Sequence, residues 1–131
     1  LEFRRVLFRS PSWSRDGKTV VYVAWTDKGL GEIRSIAASG GTSRNLTQQS
    51  GHYARPRFSP DGKTIVYEKG QGGGLVSSRQ SDEVGIYRIA STGGVATRVT
   101  KGGSSPHFGN LNDRIYYTEA GQKYTGSRRM A

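Results

Sequence analysis

The stretch Pro56-Arg57-Phe58-Ser59-Pro60-Asp61-Gly62-Lys63-Thr64-Ile65-Val66-Tyr67 decides the fold. Nearly the same words stand 45 residues earlier, as Pro11-Ser12-Trp13-Ser14-Arg15-Asp16-Gly17-Lys18-Thr19-Val20-Val21-Tyr22. A copy at that spacing marks a repeat architecture. The turn residues inside each copy carry a mechanism. Pro60 presets φ, Asp61 can bond its own backbone and Gly62 tolerates φ > 0, so the aromatic residue before them and the β-branched run after them read as the two strands of a hairpin. In the first copy Arg15 stands in place of the proline. A third copy, Pro106 to Tyr117, aligns without gaps 50 residues after the second, with Asn112 in place of the glycine. Asparagine is the next most tolerant residue for the left-handed region, so the third hairpin is expected to keep its turn.

The run Thr19 to Trp25 is apolar on both faces rather than alternating, which predicts a strand covered from two sides. A second shared pattern follows it. Ile33-Arg34-Ser35-Ile36, Gly40-Gly41 and Arg44-Asn45-Leu46-Thr47 recur as Ile86-Tyr87-Arg88-Ile89, Gly93-Gly94 and Thr97-Arg98-Val99-Thr100, shifted by 53 residues. The excess over 45 places an eight-residue insertion in the Gly- and Ser-rich loop Gly70 to Glu83. The Ile33/Ile36 spacing alone would suit a helix, but the segment is short, bracketed by Gly31 and Gly40-Gly41, and rich in β-branched residues, so a strand is predicted. Four strands in a unit of roughly 40 to 50 residues is the arithmetic of a β-propeller blade. The expected fold is all-β: a partial β-propeller of two four-stranded antiparallel blades plus part of a third. Known propellers close with roughly four to eight blades, so the chain reads as a fragment.

Residues 1–10, LEFRRVLFRS, match nothing later in the chain. They resemble a translated short-read sequencing adapter running in frame into coding sequence, and neither an initiating Met nor an adequate apolar core supports a signal peptide. The domain reading is therefore a non-native segment over 1–10, a partial propeller over 11–120, and a tail over 121–131 whose match to a further strand is poor. Without the three arginines and one glutamate of the first segment the net charge falls from +10 to +8. Such a balance raises a nucleic-acid or anionic-membrane partner. Arg15, Arg34, Arg44, Arg55, Arg57, Arg79, Arg88, Arg98 and Arg114 are nevertheless scattered singly, and only Arg128 and Arg129 adjoin, which favours a solvated cationic surface. No stretch approaches the roughly 20 apolar residues of a membrane span. The absence of cysteine excludes disulfides, thiolate catalysis and Cys-ligated zinc.

WSRDGKTVVYV and RFSPDGKTIVYE resemble the repeat of TolB, the tricorn protease and related exported propellers, whose signature is an aromatic-Ser-Pro-Asp-Gly hairpin followed by a β-branched strand. The likeness covers Pro11 to about Ala120. Within that group VAWTDKGLGEIRSIAASGG, LTQQSGHYARPRFSPDG and SSPHFGNLNDRIYYTEAG are similar to the N-terminal propellers of large periplasmic amidohydrolases. The resemblance implies that a metal-dependent TIM-barrel domain follows in the parent, and that the protein is periplasmic or otherwise exported.

No catalytic constellation emerges. An amidohydrolase metal centre needs a His-x-His pair with further His and Asp ligands, whereas His52 and His107 are solitary and flank blade-opening strands, where packing or surface hydrogen bonding is expected. A serine hydrolase needs Gly-x-Ser-x-Gly, and Gly74-Leu75-Val76-Ser77-Ser78 has its serine at the wrong offset. Gly72-Gly73-Gly74 lacks the Lys-Ser/Thr of a phosphate loop. Asp82-Glu83, the adjacent carboxylate pair, reads as a solvated acidic spot, and Asp16 and Asp61 as turn residues. Trp13, Phe58 and Phe108 are expected as core plugs. No catalytic, cofactor-binding or metal-binding residue is assigned.

The expectation is a non-catalytic propeller with a scaffolding, gating or protein-binding role in a larger exported protein, an amidohydrolase for preference. A TolB-type envelope-binding propeller, or the gating propeller of a tricorn or prolyl-oligopeptidase type peptidase, is the alternative. Its expected partners are the remaining blades, a catalytic domain of the parent, and a protein or peptide ligand, with the Gly70 to Glu83 loop as first contact; nucleic acid is not expected.

Overall fold

The computed structural model describes residues 7–26, 30–71, 83–119 and 125–129, and they hold strands and turns without a helix. Strands β1 (Leu7–Trp13), β2 (Thr19–Thr26), β3 (Leu30–Ala37) and β4 (Arg44–Asn45) form a first antiparallel sheet in chain order. β5 (Tyr53–Phe58), β6 (Thr64–Lys69), β7 (Gly85–Ala90) and β8 (Thr97–Thr100) repeat that order in a second. β9 (Ser104–Phe108), β10 (Arg114–Thr118) and β11 (Thr125–Arg129) form a three-stranded third sheet, ordered β11-β10-β9. The copied sequence produces a copied register. Trp13 lies opposite Val20, Phe58 opposite Ile65 and Phe108 opposite Ile115.

Neighbouring sheets share a core, and this explains the apolar runs. Between the first and second sheets Val21, Ile33 and Leu46 meet Phe58, Ile65, Tyr67, Tyr87 and Ile89. Between the second and third, Val66 and Ile86 meet Phe108, Ile115 and Tyr117. In β6 the odd positions Ile65 and Tyr67 therefore face one neighbouring sheet and Val66 the other. All three are at most 2 % exposed. Burial on that scale contributes about 1.5 to 3 kcal/mol for each aliphatic side chain.

Four details depart from the sequence expectation or extend it. Phe58 and Phe108 are buried as expected, but Trp13 is 61 % exposed, because among the described residues no sheet lies in front of the first as the first lies in front of the second. The third hairpin keeps its pairing, yet Asn112 does not adopt the positive φ that Gly17 and Gly62 share at 71°; that turn closes by a different backbone path. β1 begins at Leu7, pairing Leu7, Phe8 and Arg9 with Trp25, Ala24 and Val23. Pairing uses backbone groups, which any sequence possesses, so it does not bear on where that segment came from. The third sheet gains β11 from within the tail. The insertion expected in Gly70 to Glu83 falls mostly on residues 72–82, outside the described ones, together with Ser77, Arg79, Asp82 and the Gly72–Gly74 run.

One recurring irregularity bends every first strand. Ser10, Arg55 and Ser105 have φ of 51°, 50° and 53°, each stands immediately before a proline, and the register with the second strand slips at that point in all three sheets. The ring of Pro clashes with a right-handed helical conformation of the preceding residue, and a β-bulge accommodates the left-handed alternative by leaving that residue out of the ladder.

Candidate functional site

The conserved wording of the two hairpins is spent on their own tips. The Ser14 hydroxyl donates to Asp16 Oδ1 at 2.6 Å, and Ser59 does the same to Asp61 at 2.6 Å. The amides of Lys18 and Lys63 donate to the same carboxylate oxygens at 2.9 and 3.0 Å. The amides of Thr19 and Thr64 donate back to the serine hydroxyls, each at 3.0 Å. Gly17 and Gly62 close the turns onto the Ser14 and Ser59 carbonyls, and a Cβ at either glycine would meet nothing within 4 Å. Their requirement is thus the positive φ and not space. The serine hydroxyl, then the lysine amide, hold both aspartates below their ordinary carboxylate value. A carboxylate so held, with its Oδ1 engaged twice inside its own turn, stays ionised and is a poor proton shuttle at neutral pH.

The three tips are brought together at one end of the first strands. The Asn112 side-chain oxygen accepts the Asp61 amide at 2.8 Å, and the Arg15 guanidinium reaches across to donate to the Gly109 carbonyl. Arg15 and Asn112, two of the departures from the repeat wording, thus tie one tip to another. The resulting rim is exposed and of mixed charge, with Arg15, Lys18 and Lys63 beside Asp16 and Asp61. At the other end of the same strands Glu68, with its side chain 14 % exposed, pairs with Arg55 at 2.9 Å and accepts the Ser105 amide. One carboxylate thereby joins the second sheet to the third.

The two histidines are not brought together. The His52 ring lies beside Trp25 with ring centroids 5.2 Å apart, and its backbone carbonyl accepts the Gly70 amide at 2.8 Å. His107 is exposed within β9, its Nδ1 3.0 Å from the Ser105 carbonyl and its ring stacked on Tyr116 at 5.9 Å. Among the described residues no group of three or more His, Cys, Asp or Glu side chains is placed to hold a metal ion. Glu83 is exposed.

A stack of tyrosines was not anticipated. Tyr53 meets Tyr67 edge-on at 5.2 Å, Tyr67 lies parallel to Tyr87 at 6.0 Å, and the Lys69 ammonium sits 5.4 Å from the Tyr87 ring centre. The Tyr53 and Tyr87 hydroxyls donate to the Gln49 and Glu83 carbonyls. Burial pushes Tyr67, Tyr53 and Tyr87 above the ordinary phenol value, so the stack is a neutral packing element. Only Tyr67 recurs as a tyrosine in the other repeats, as Tyr22 and Tyr117, whereas Tyr53 and Tyr87 align with Phe8 and Arg34, so the repeat wording did not announce the stack.

No family profile matches the chain, and no curated protein matches it either. Solved structures do. TolB from Acinetobacter baumannii superposes with a TM-score of 0.68 at 23 % identity, over 93 % of this chain and 30 % of that one. A protein assigned as TolB from Agrobacterium tumefaciens gives 0.69 at 22 %, over 96 % and 46 %. The chain has the β-propeller fold. The β-propeller domain of the Trilobed protease from Pyrococcus furiosus, at 0.58 and 17 % identity over 86 % of this chain and 34 % of that one, places the same fold in a peptidase. The chain spans less than half the length of each of these propeller proteins, and its described sheets form an open arc of the ring. At these identities the likeness concerns the fold.

Proposed function

We propose that the chain serves as a non-catalytic propeller segment, scaffolding or binding protein within a larger exported protein. The observation that carries this reading is the use of the repeated polar residues. Ser14, Asp16, Ser59 and Asp61, which in another setting would suggest acid-base chemistry, are consumed in closing their own turns. What they leave is a rigid edge of exposed hairpin tips, the kind of surface on which propellers carry contacts. Among the described residues no helix is long and apolar enough to cross a membrane.

The parent we favour is a periplasmic amidohydrolase, on the sequence patterns alone. A free-standing TolB-type binding propeller is the second reading, favoured by the two TolB superpositions. The coding sequence downstream decides between them. A His-x-His after a strand supports the first, an early stop after ring closure supports the second, and Gly-x-Ser-x-Gly would replace both with a peptidase. The non-catalytic role has its own test. The purified chain should leave p-nitrophenyl esters and dipeptide amides untouched, and turnover that is abolished by Asp16→Asn or Asp61→Asn would end it.

A further inference from the structure

Both hairpin tips contain a bond that can rearrange without any enzyme. Asp16-Gly17 and Asp61-Gly62 each place a glycine directly after an aspartate, and with no glycine side chain in the way its amide nitrogen can reach the carboxyl carbon of the residue before it. The reaction consumes nothing. The glycine nitrogen attacks Cγ of the aspartic acid, the N–Cγ bond forms, and the carboxyl hydroxyl departs as water with the amide proton, leaving a five-membered succinimide. Water then adds to one of the two ring carbonyls. Breaking the bond from nitrogen to Cγ restores aspartate, whereas breaking the bond from nitrogen to the main-chain carbonyl carbon leaves isoaspartate, with the chain rerouted through Cβ.

In the folded tips each participant is engaged elsewhere. The Gly17 and Gly62 amides donate to the Ser14 and Ser59 carbonyls at 3.0 and 2.9 Å, which turns both nitrogens away from the attack. Each Oδ1 is held from two sides, by the serine hydroxyl at 2.6 Å and by the amide of Lys18 or Lys63, beyond the glycine, at 2.9 or 3.0 Å. The carboxyl group cannot swing onto the glycine nitrogen without giving up both. It is also in the unreactive form: with each aspartate held below its ordinary value, the serine hydroxyl first among the causes, the ionised group has no hydroxyl to lose. Both aspartates are exposed, so these contacts and not burial restrain the reaction.

The product cannot rebuild the turn. Isoaspartate lengthens the main chain by one carbon and carries its carboxylate on Cα, so the Ser59 hydroxyl, on a residue 1 % exposed, loses the acceptor it has in the native tip. A buried polar group left unpaired opposes refolding.

We infer that Asp16 and Asp61 are sites of spontaneous isoaspartate formation that the folded tips hold shut, with the Ser14 and Ser59 hydroxyls as guards, so that a tip left open acquires a permanent mark that keeps it open. This inference is separate from the scaffolding role, because its readout is a covalent change in the chain itself.

The test incubates the full chain at neutral pH, in buffer and in guanidinium chloride, and maps it with endoproteinase Asp-N, which cuts before aspartate and not before isoaspartate. The denatured chain should accumulate isoaspartate at both positions, and the folded chain roughly a hundredfold or more slowly, since the rate follows the open fraction. Ser59→Ala should accelerate the change at Asp61 about five- to thirtyfold while Asp16 keeps its original rate. Ser14→Ala should do the reverse, which keeps the test decisive should one variant not fold. Equal rates in buffer and denaturant, or no acceleration at the altered tip, would overturn the inference. So would equal acceleration at both tips in both variants, because general loosening of the fold would then account for it without any guard.

Discussion

Truncating the same repeat position in two successive sheets should have different costs. Phe58→Ala removes a side chain that is 8 % exposed and wedged among Val21, Ile33 and Leu46. Almost all of its roughly 200 Å² is withdrawn from water, worth about 25 cal/mol per Å². The residual cavity adds to the loss, since sheets on both sides restrain collapse, giving about 3 to 5 kcal/mol. Trp13→Ala removes a larger side chain, but at 61 % exposure only about 100 Å² is in contact with protein, and water fills the space left behind. By the same coefficient its cost is about 2 to 2.5 kcal/mol, with no cavity to add to it. Urea unfolding followed by far-UV circular dichroism measures both, with the slope m checked for constancy. A loss of 3 to 5 kcal/mol is a large share of a typical domain's stability, so Phe58→Leu, expected at about 1.5 kcal/mol or less, extends the series should Phe58→Ala not fold. A Trp13→Ala cost equal to that of Phe58→Ala would refute the reasoning, because it would mean that something covers the first sheet as the first covers the second.

Gly85→Ala should cost about 3 kcal/mol or more, in the upper tail of point substitutions. Gly85 holds φ at 142°, and a Cβ there would stand 1.9 Å from the Thr100 carbonyl oxygen; loss of amide protection along β8 in hydrogen exchange is the check, and a stable variant with β8 protected would contradict it. Ser59→Ala should cost about 1 to 2 kcal/mol, because Ser59 is 1 % exposed and its hydroxyl both donates to Asp61 and accepts from Thr64; chemical denaturation measures it, and a neutral result removes the hairpin argument. Stability should fall in acid. Asp16 and Asp61 are held below their ordinary value of 3.8, so their contribution is complete above that value and is lost as pH drops through the folded-state one. The tyrosine stack works in the opposite direction: with Tyr53, Tyr67 and Tyr87 raised above 10.0, its contribution is complete below pH 10 and declines as pH rises beyond it. Thermal melts across pH 2 to 12 should show both declines, and acid melts unaltered by Asp61→Asn would sink the first.

The hairpins were legible because their chemistry is local. Ser59-Pro60-Asp61-Gly62 specifies a turn from within, and the Thr64 to Tyr67 run specifies a strand buried on two faces. Ile33 to Ile36 was separable from a helix by its glycine brackets. The bond of Asp61 to its own backbone, made to the Lys63 amide, followed from the same wording; the serine contacts of Asp16 and Asp61 did not. What was not legible depends on neighbours or on backbone alternatives. Trp13 and Phe58 are interchangeable in sequence, and only the presence of a sheet in front of one makes it core. Asn112 suggested a left-handed turn, but its side chain is drawn to the Asp61 amide of another hairpin, a contact 51 residues away. The link between Arg15 and Gly109 spans 94 residues and has no local signature. Residues before proline suggest extended backbone, so the left-handed conformations of Ser10, Arg55 and Ser105 were invisible until the register slip showed them.

Those three left-handed residues have a practical consequence for anyone recombining this protein. Each marks the same hydrogen-bonding phase of its sheet, so a crossover made at the peptide bond to the following proline exchanges one whole unit for another without displacing a single inward-facing side chain. A library of arrays of two, three or more units, joined only at Ser10-Pro11, Arg55-Pro56 and Ser105-Pro106, should yield soluble folded members far more often than one cut ten residues to either side. Chain length could then be tuned one sheet at a time.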